Sequence, residues 1–196
     1  MAEVSEFETV FTNPTEFNAF HPLHNEWTLW YDNPGKKINQ STWTQNLKSI
    51  VTVKTVEDFW GVMNNVYPAN EIPLGANYHM FKSGIKPMWE DPANAKGGKW
   101  SVTFSRAQGD RINDIWINSI LGIIGENYPH PEEICGIVFS NRKICFRFGL
   151  WLKSFSDPSV VEAIGLKFKE LLGDNIDKVE FQVHHSDNGQ SLNLVL

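Results

Sequence analysis

Two tryptophans stand in loops, where core packing explains them poorly. Trp43 ends the turn-rich stretch DNPGKKINQST (32–42), and Trp89 lies inside IKPMWEDPANAKGG (85–98). Glu90 follows Trp89 directly. Farther on, Arg142, Lys143 and Arg147 form the densest basic run of the chain. Two indoles can sandwich a flat ring, more strongly if that ring is cationic. A carboxylate can accept two hydrogen bonds from the N1–H and N2–H₂ edge of a guanine. Arginines hold phosphate oxygens through charge-assisted, often bidentate bonds. A positively charged, methylated guanine carrying a phosphate chain meets all three demands, and RNA recognition commonly stacks unpaired bases in this way. Each feature taken singly has a plainer reading. A loop tryptophan folds back over a sheet edge, its neighbouring glutamate is solvated, and a basic hairpin is a solvated face.

The elements that must position these residues can be read from periodicity. Alternation predicts strands over EWTLWY (26–31), 46–54, YHMFKSG (78–84) and KWSVTFSR (99–106). ICGIVFS (134–140) and ICFRFGLWLK (144–153) read as two strands about an NRK turn, a hairpin. KVEFQVHH (178–185) and SLNLVL (191–196) close the chain as strands. Helices are predicted over 55–66, 111–126 and 157–173. Thr55 with Asp58 resembles a capping arrangement for the first helix. Asp157, Pro158 and Gly173 supply start and stop signals for the last. Strands interleaved with three helices and joined by hairpins predict an α+β fold with a mostly antiparallel sheet. Helices would cover one sheet face and leave the other for a ligand.

Two helices carry more apolar surface than one packed stripe needs. Phe59, Val62, Met63 and Val66 cluster on the first, with Val56 and Trp60 at an edge. On the second, Ile117, Leu121 and Ile124 widen the face made by Ile112, Ile115, Trp116, Ile120 and Ile123. The surplus either packs against another helix or docks an amphipathic partner helix, with Val56, Trp60, Ile117 and Leu121 as the edge candidates.

The 196 residues make one domain, and residues 1–20, polar and acidic, read as a flexible tail. The 17 Lys and Arg against 23 Asp and Glu oppose non-specific nucleic-acid binding, so any such role needs a local pocket. No apolar run is long enough to span a bilayer, and the N-terminus lacks a signal pattern. Eight tryptophans are many for one small domain, and some are expected to face a ligand or partner. Cys135 and Cys145 read as reduced core thiols on adjacent strands, near enough to approach each other.

The segments HPLHNEWTLWY, TVEDFW, YHMFKSGIKPMWED, NAKGGKW, LGIIGE and the NRK hairpin ending in Trp151 resemble the eukaryotic translation initiation factor 4E family, the messenger-RNA cap-binding proteins. The resemblance covers residues 21–196 and is closest to fungal members. It implies a cupped antiparallel sheet with three helices on the convex face and the cap in the concave slot. Trp43 and Trp89 would sandwich 7-methylguanine, Glu90 would take its N1 and N2 edge, and Trp151 would touch the N7 methyl. Arg142 and Arg147 would hold the phosphates. A dorsal site of His21, Pro22, Val56, Trp60, Ile117 and Leu121 would receive a Tyr- and Leu-containing helix from the 4G scaffold or from 4E-binding repressors. The resemblance implies no cofactor, metal or membrane, a monomer, and a place in the cytoplasm, with the nucleus open as a second compartment.

Departures from the family pattern carry their own expectations. The loop before Trp43 is longer than in animal members. Ile144 stands where many members place a basic phosphate contact, and Asn118 replaces an acidic dorsal residue. The segment 184–191 is short where animal members carry a phosphorylatable serine, and neither Ser186 nor Ser191 clearly corresponds to it. Three other functions compete. No P-loop, nucleophile elbow or Cys–His arrangement supports an enzyme. A carbohydrate module would need no ring charge and no Arg142. A purely protein-binding chain would keep Trp60 important and leave Trp43 and Trp89 replaceable.

Overall fold

A computed structural model describes residues 20–33, 46–173, 176–184 and 191–196. Among these residues eight strands form: β1 Pro22–Asp32, β2 Lys48–Thr55, β3 Asn77–Lys82, β4 Gly98–Ser105, β5 Ile134–Asn141, β6 Cys145–Leu152, β7 Glu180–Val183 and β8 Asn193–Val195. Among the described residues three α-helices stand between them: α1 Val56–Met63, α2 Arg111–Ile124 and α3 Pro158–Leu172. All eight strands join one sheet in the order β2-β1-β3-β5-β6-β4-β7-β8. Every neighbouring pair is antiparallel. The α+β expectation holds, and the sheet is curved and unclosed. Among the described residues no helix is long and apolar enough to cross a membrane.

The helix signals act as read. Thr55 Oγ1 accepts from Asp58 N at 3.0 Å, and Asp157 Oδ1 accepts from Ser159 N at 2.9 Å. Gly173 ends α3 at φ 99°, a conformation that favours glycine. α1 stops at Met63, short of the expected Val66. Asn64 N bonds back to Trp60 O, and Asn65 Nδ2 donates to Gly61 O at 2.8 Å, so the asparagines close the last turn. The tail expected over 1–20 lies outside the described residues, apart from the exposed Phe20.

Side chains alternate along the strands, with burial following suit in β4 while β3 and β5 are buried on both sides, and this splits the sheet into two faces. Trp27 and Leu29 of β1, Met80 of β3, Trp100 and Val102 of β4, and Phe146, Phe148 and Leu150 of β6 share one apolar cluster with Phe59 of α1, Ile112 and Ile120 of α2, and Val161 and Phe168 of α3. The helices therefore cover one face. α3 comes closest at Gly165, where a Cβ would fall 2.3 Å from Trp100 Cζ2. The buried Trp100 indole is satisfied there, its Nε1–H donating to Val161 O at 3.0 Å.

The two cysteines are buried and free, as read, but they do not approach each other. The antiparallel register puts Cys135 at the end of β5 that faces Trp151 and Leu152, while Cys145 opens β6 and pairs with Ser105 of β4. Adjacent antiparallel strands of a hairpin bring together only residues equidistant from the turn.

Candidate functional site

The open face is built in rows, because strand register aligns residues of like orientation. Asp32, Asn77, Ser140, Arg147 and Thr103 cross five strands in one row. Trp30, His79, Val138, Gly149 and Ser101 form the next. Thr28, Phe81, Gly136, Trp151 and Lys99 form the third, which Gln182 of β7 extends. Gly136 is required by packing, since a Cβ there would lie 2.4 Å from Phe81 Cγ. Phe81 in turn meets Trp151 edge-on at 5.5 Å. Over these rows lies a cleft of about 830 Å³, lined by Trp89, Glu90, Lys99, Arg142, Arg147, Trp151 and His184 among others.

The loop between β3 and β4 supplies Trp89 and Glu90 from above. Asp91 and Asn94 cross-brace it. Asp91 Oδ2 accepts from Lys86 N and Oδ1 from Ala93 N, each at 3.0 Å. Asn94, fully buried, donates from Nδ2 to Lys86 O at 2.8 Å and Met88 O at 2.7 Å. Among the described residues its oxygen has no partner, and the two donors carry the brace. Trp89 stands 41% exposed on this support, and Glu90 beside it is exposed too. An exposed indole on a held loop can serve as a stacking platform.

Positive charge gathers at the end of the cleft nearest the β5–β6 hairpin. Arg147, exposed, projects from β6. Arg142 is half-buried, and burial followed by the nearby Arg147 charge lowers its ordinarily high pKa. Lys99 was not singled out from sequence, yet it lines the cleft opposite Trp151. Its pKa is lowered by burial and then by Arg147. The signal was present in KWSVTFS, whose alternation puts Lys99, Ser101 and Thr103 together on the face opposite Trp100, Val102 and Phe104. Ile144 is 79% exposed at the hairpin tip and does not line the cleft. Trp43 lies outside the described residues, as does Ser186. The structure thus brings together Trp89, Glu90, Trp151, Arg142 and Arg147 of the expected site.

A second surface lies on the helical side. Val56 is 38% and Trp60 40% exposed, while Phe59 between them is in the core and meets Trp60 edge-on at 5.1 Å. His21 ties the chain entry to α1. Its backbone N donates to Glu57 Oε2 at 3.0 Å and its Nδ1 lies 2.6 Å from Oε1. These bonds pull the Glu57 pKa down to about 2. Val56 N donates to His21 O at 2.9 Å, and Pro22 pairs with Thr55. Ile117 and Leu121 of α2 are half-buried, with apolar area left at the surface.

An open antiparallel sheet with an aromatic, carboxylate and guanidinium cleft in front and an exposed apolar patch behind defines a two-faced binding protein. The comparisons narrow this class. Residues 22–193 match the family model described as Eukaryotic initiation factor 4E. The chain is 43% identical over 185 residues to Eukaryotic translation initiation factor 4E of Candida albicans, covering 92% of this chain and 88% of that one. It is 39% identical over 188 residues to the factor of Eremothecium gossypii, covering 95% and 88%. The crystal structure of Ascaris suum eIF4E-3 with m7G cap matches with a TM-score of 0.80 at 32% identity, over 91% of this chain and 98% of that one. The complex of C. elegans eIF4E-3 with the 4E-binding protein Mextli and cap analog matches at 0.79 and 31%, over 90% and 100%. The chain belongs to the eukaryotic initiation factor 4E family.

Proposed function

We propose that this chain binds the 7-methylguanosine 5′ cap of messenger RNA and recruits a 4G-type scaffold to begin translation. Its role is binding and not catalysis, and residues 21–196 are the cap-binding domain. The observation that carries the reading is the convergence of Trp89, Glu90 and Trp151 with Arg142 and Arg147 on one cleft. Trp89 stacks on one face of the cationic base and Trp43 closes the other. Glu90 accepts from the N1 and N2 edge, the backbone N–H of Trp89 meets O6, and Trp151 touches the N7 methyl. The phosphates run toward Arg142 and Arg147. The cap complexes of related chains support this reading.

On the dorsal face, His21, Pro22, Val56, Trp60, Ile117 and Leu121 receive a short Tyr- and Leu-containing helix from the scaffold or a 4E-binding repressor. The exposure of Val56 and Trp60 supports this, as does the Mextli complex of a relative. The deciding experiment is a tryptophan-fluorescence titration with 7-methyl-GTP against GTP. Strong quenching with a clear preference for the methylated nucleotide is expected. Equal, weak responses to both would overturn the cap reading.

A further inference from the structure

Arg142 does not reach the cleft as a free side chain. Its Nη1 donates to Gly75 O at 3.1 Å, Asn141 O at 3.3 Å and Ala76 O at 3.4 Å, and its Nη2 donates to Asn77 Oδ1 at 2.7 Å. Asn77 Nδ2 in turn donates to both carboxylate oxygens of Asp32, each at 2.9 Å. His79 Nε2 lies 2.5 Å from Asp32 Oδ1. Asp32, Asn77 and His79 are all buried.

A carboxylate removed from water requires partners and a balancing charge. Here the Asn77 amide stands between Asp32 and Arg142, its N–H₂ toward the anion and its carbonyl toward the cation. Such a chain polarises each bond in it. It also fixes the orientation of Asn77, since turning the amide over would set its oxygen against the carboxylate. A guanidinium has five N–H groups. Among the described residues, the Arg142 Nε–H and one Nη2–H have no partner, so they remain for an anion. An arginine already held in place loses less conformational freedom on binding.

We propose that Asp32, acting through Asn77, is a positioning residue that holds Arg142 ready for the phosphate chain of the cap. The proposal rests on the cap reading of the cleft. Its test is the ratio of affinities for 7-methyl-GTP and for 7-methylguanosine, which has no phosphate. The ratio is compared in the full chain, in Asp32→Asn, in Asn77→Ser and in the exchange Asp32→Asn with Asn77→Asp. Each single change should cut triphosphate affinity about tenfold while leaving nucleoside affinity unchanged. The exchange should restore most of the loss, because it sets a carboxylate directly on Arg142. Unchanged ratios in the single variants would overturn the proposal. If Asp32→Asn does not fold, Asn77→Ser breaks the same chain at its outer end and decides the matter. A wild-type chain that binds neither probe would overturn the cap reading itself. A wild-type chain that binds, with variant ratios unmoved, overturns only the role of Asp32.

Discussion

The imidazole of His184 lies 4.0 Å, centroid to centroid, from the indole of Trp151, at an interplanar angle of 42°. The contact joins the segment after β7 to the C-terminal end of β6, across Lys99 of β4. His184 N donates to Gly97 O at 3.0 Å, which anchors the backbone beneath the ring. Burial, followed by the Lys99 charge, pushes the His184 pKa from 6.5 down to about 4. The residue therefore packs as a neutral ring on the floor of the cleft.

That neutrality makes stability depend on pH. Between pH 6.5 and about 4 the unfolded chain takes up a proton at this position and the folded chain does not. The His184 contribution is fully present above pH 6.5 and is lost as pH falls through this window. The loss reaches as much as about 3 kcal/mol. Urea denaturation at a series of pH values should show this slope, and His184→Phe, which keeps a ring against Trp151, should remove its share.

On the proposed function, Trp89→Ala should cost about 1–3 kcal/mol of binding to 7-methyl-GTP and change the melting temperature little, because the indole is 41% exposed. Glu90→Ala should weaken the preference for guanine over adenine nucleotides and spare the fold. Isothermal titration of both variants checks the pair, and unchanged affinities would count against the slot.

Asn94→Ala removes two buried donors from the loop that carries Trp89. A stability loss of about 1–3 kcal/mol is expected from the two lost hydrogen bonds, Lys86 O and Met88 O each keeping one backbone donor, from Met88 N and Asp91 N. Cap affinity should fall with it, although Asn94 is outside the binding set. Measuring chemical denaturation and affinity on the same preparation tests whether the two losses occur together.

Trp60→Ala should abolish binding of a Tyr- and Leu-containing helical peptide and leave the affinity for 7-methyl-GTP intact. The two faces are separated by the sheet and by Phe59, which holds the core beneath Trp60. Fluorescence anisotropy with a labelled peptide reads the first effect, and a cap titration reads the second. Loss of cap affinity would mean that the two faces have been exchanged.

Much of this organisation is local, and so it is written in the chain. Strand alternation assigns Trp100, Val102 and Phe104 to the core and Lys99, Ser101 and Thr103 to the open face, whatever the neighbours are. Thr55, Asp157 and Gly173 mark helix ends through bonds to their own surroundings. Trp89, Glu90, Arg142 and Arg147 stood out because loops and acidic chains give such residues little other reason to cluster. Partnership between distant strands is a different matter, since it depends on the order of the sheet. Only that order sets β3 between β1 and β5 and so places Asn77 between Asp32 and Ser140. Only the insertion of β4 between β6 and β7 brings Lys99 to Trp151 and lets His184 close over it. The side a residue faces follows from the period of the backbone, but what it meets there follows from non-local pairing.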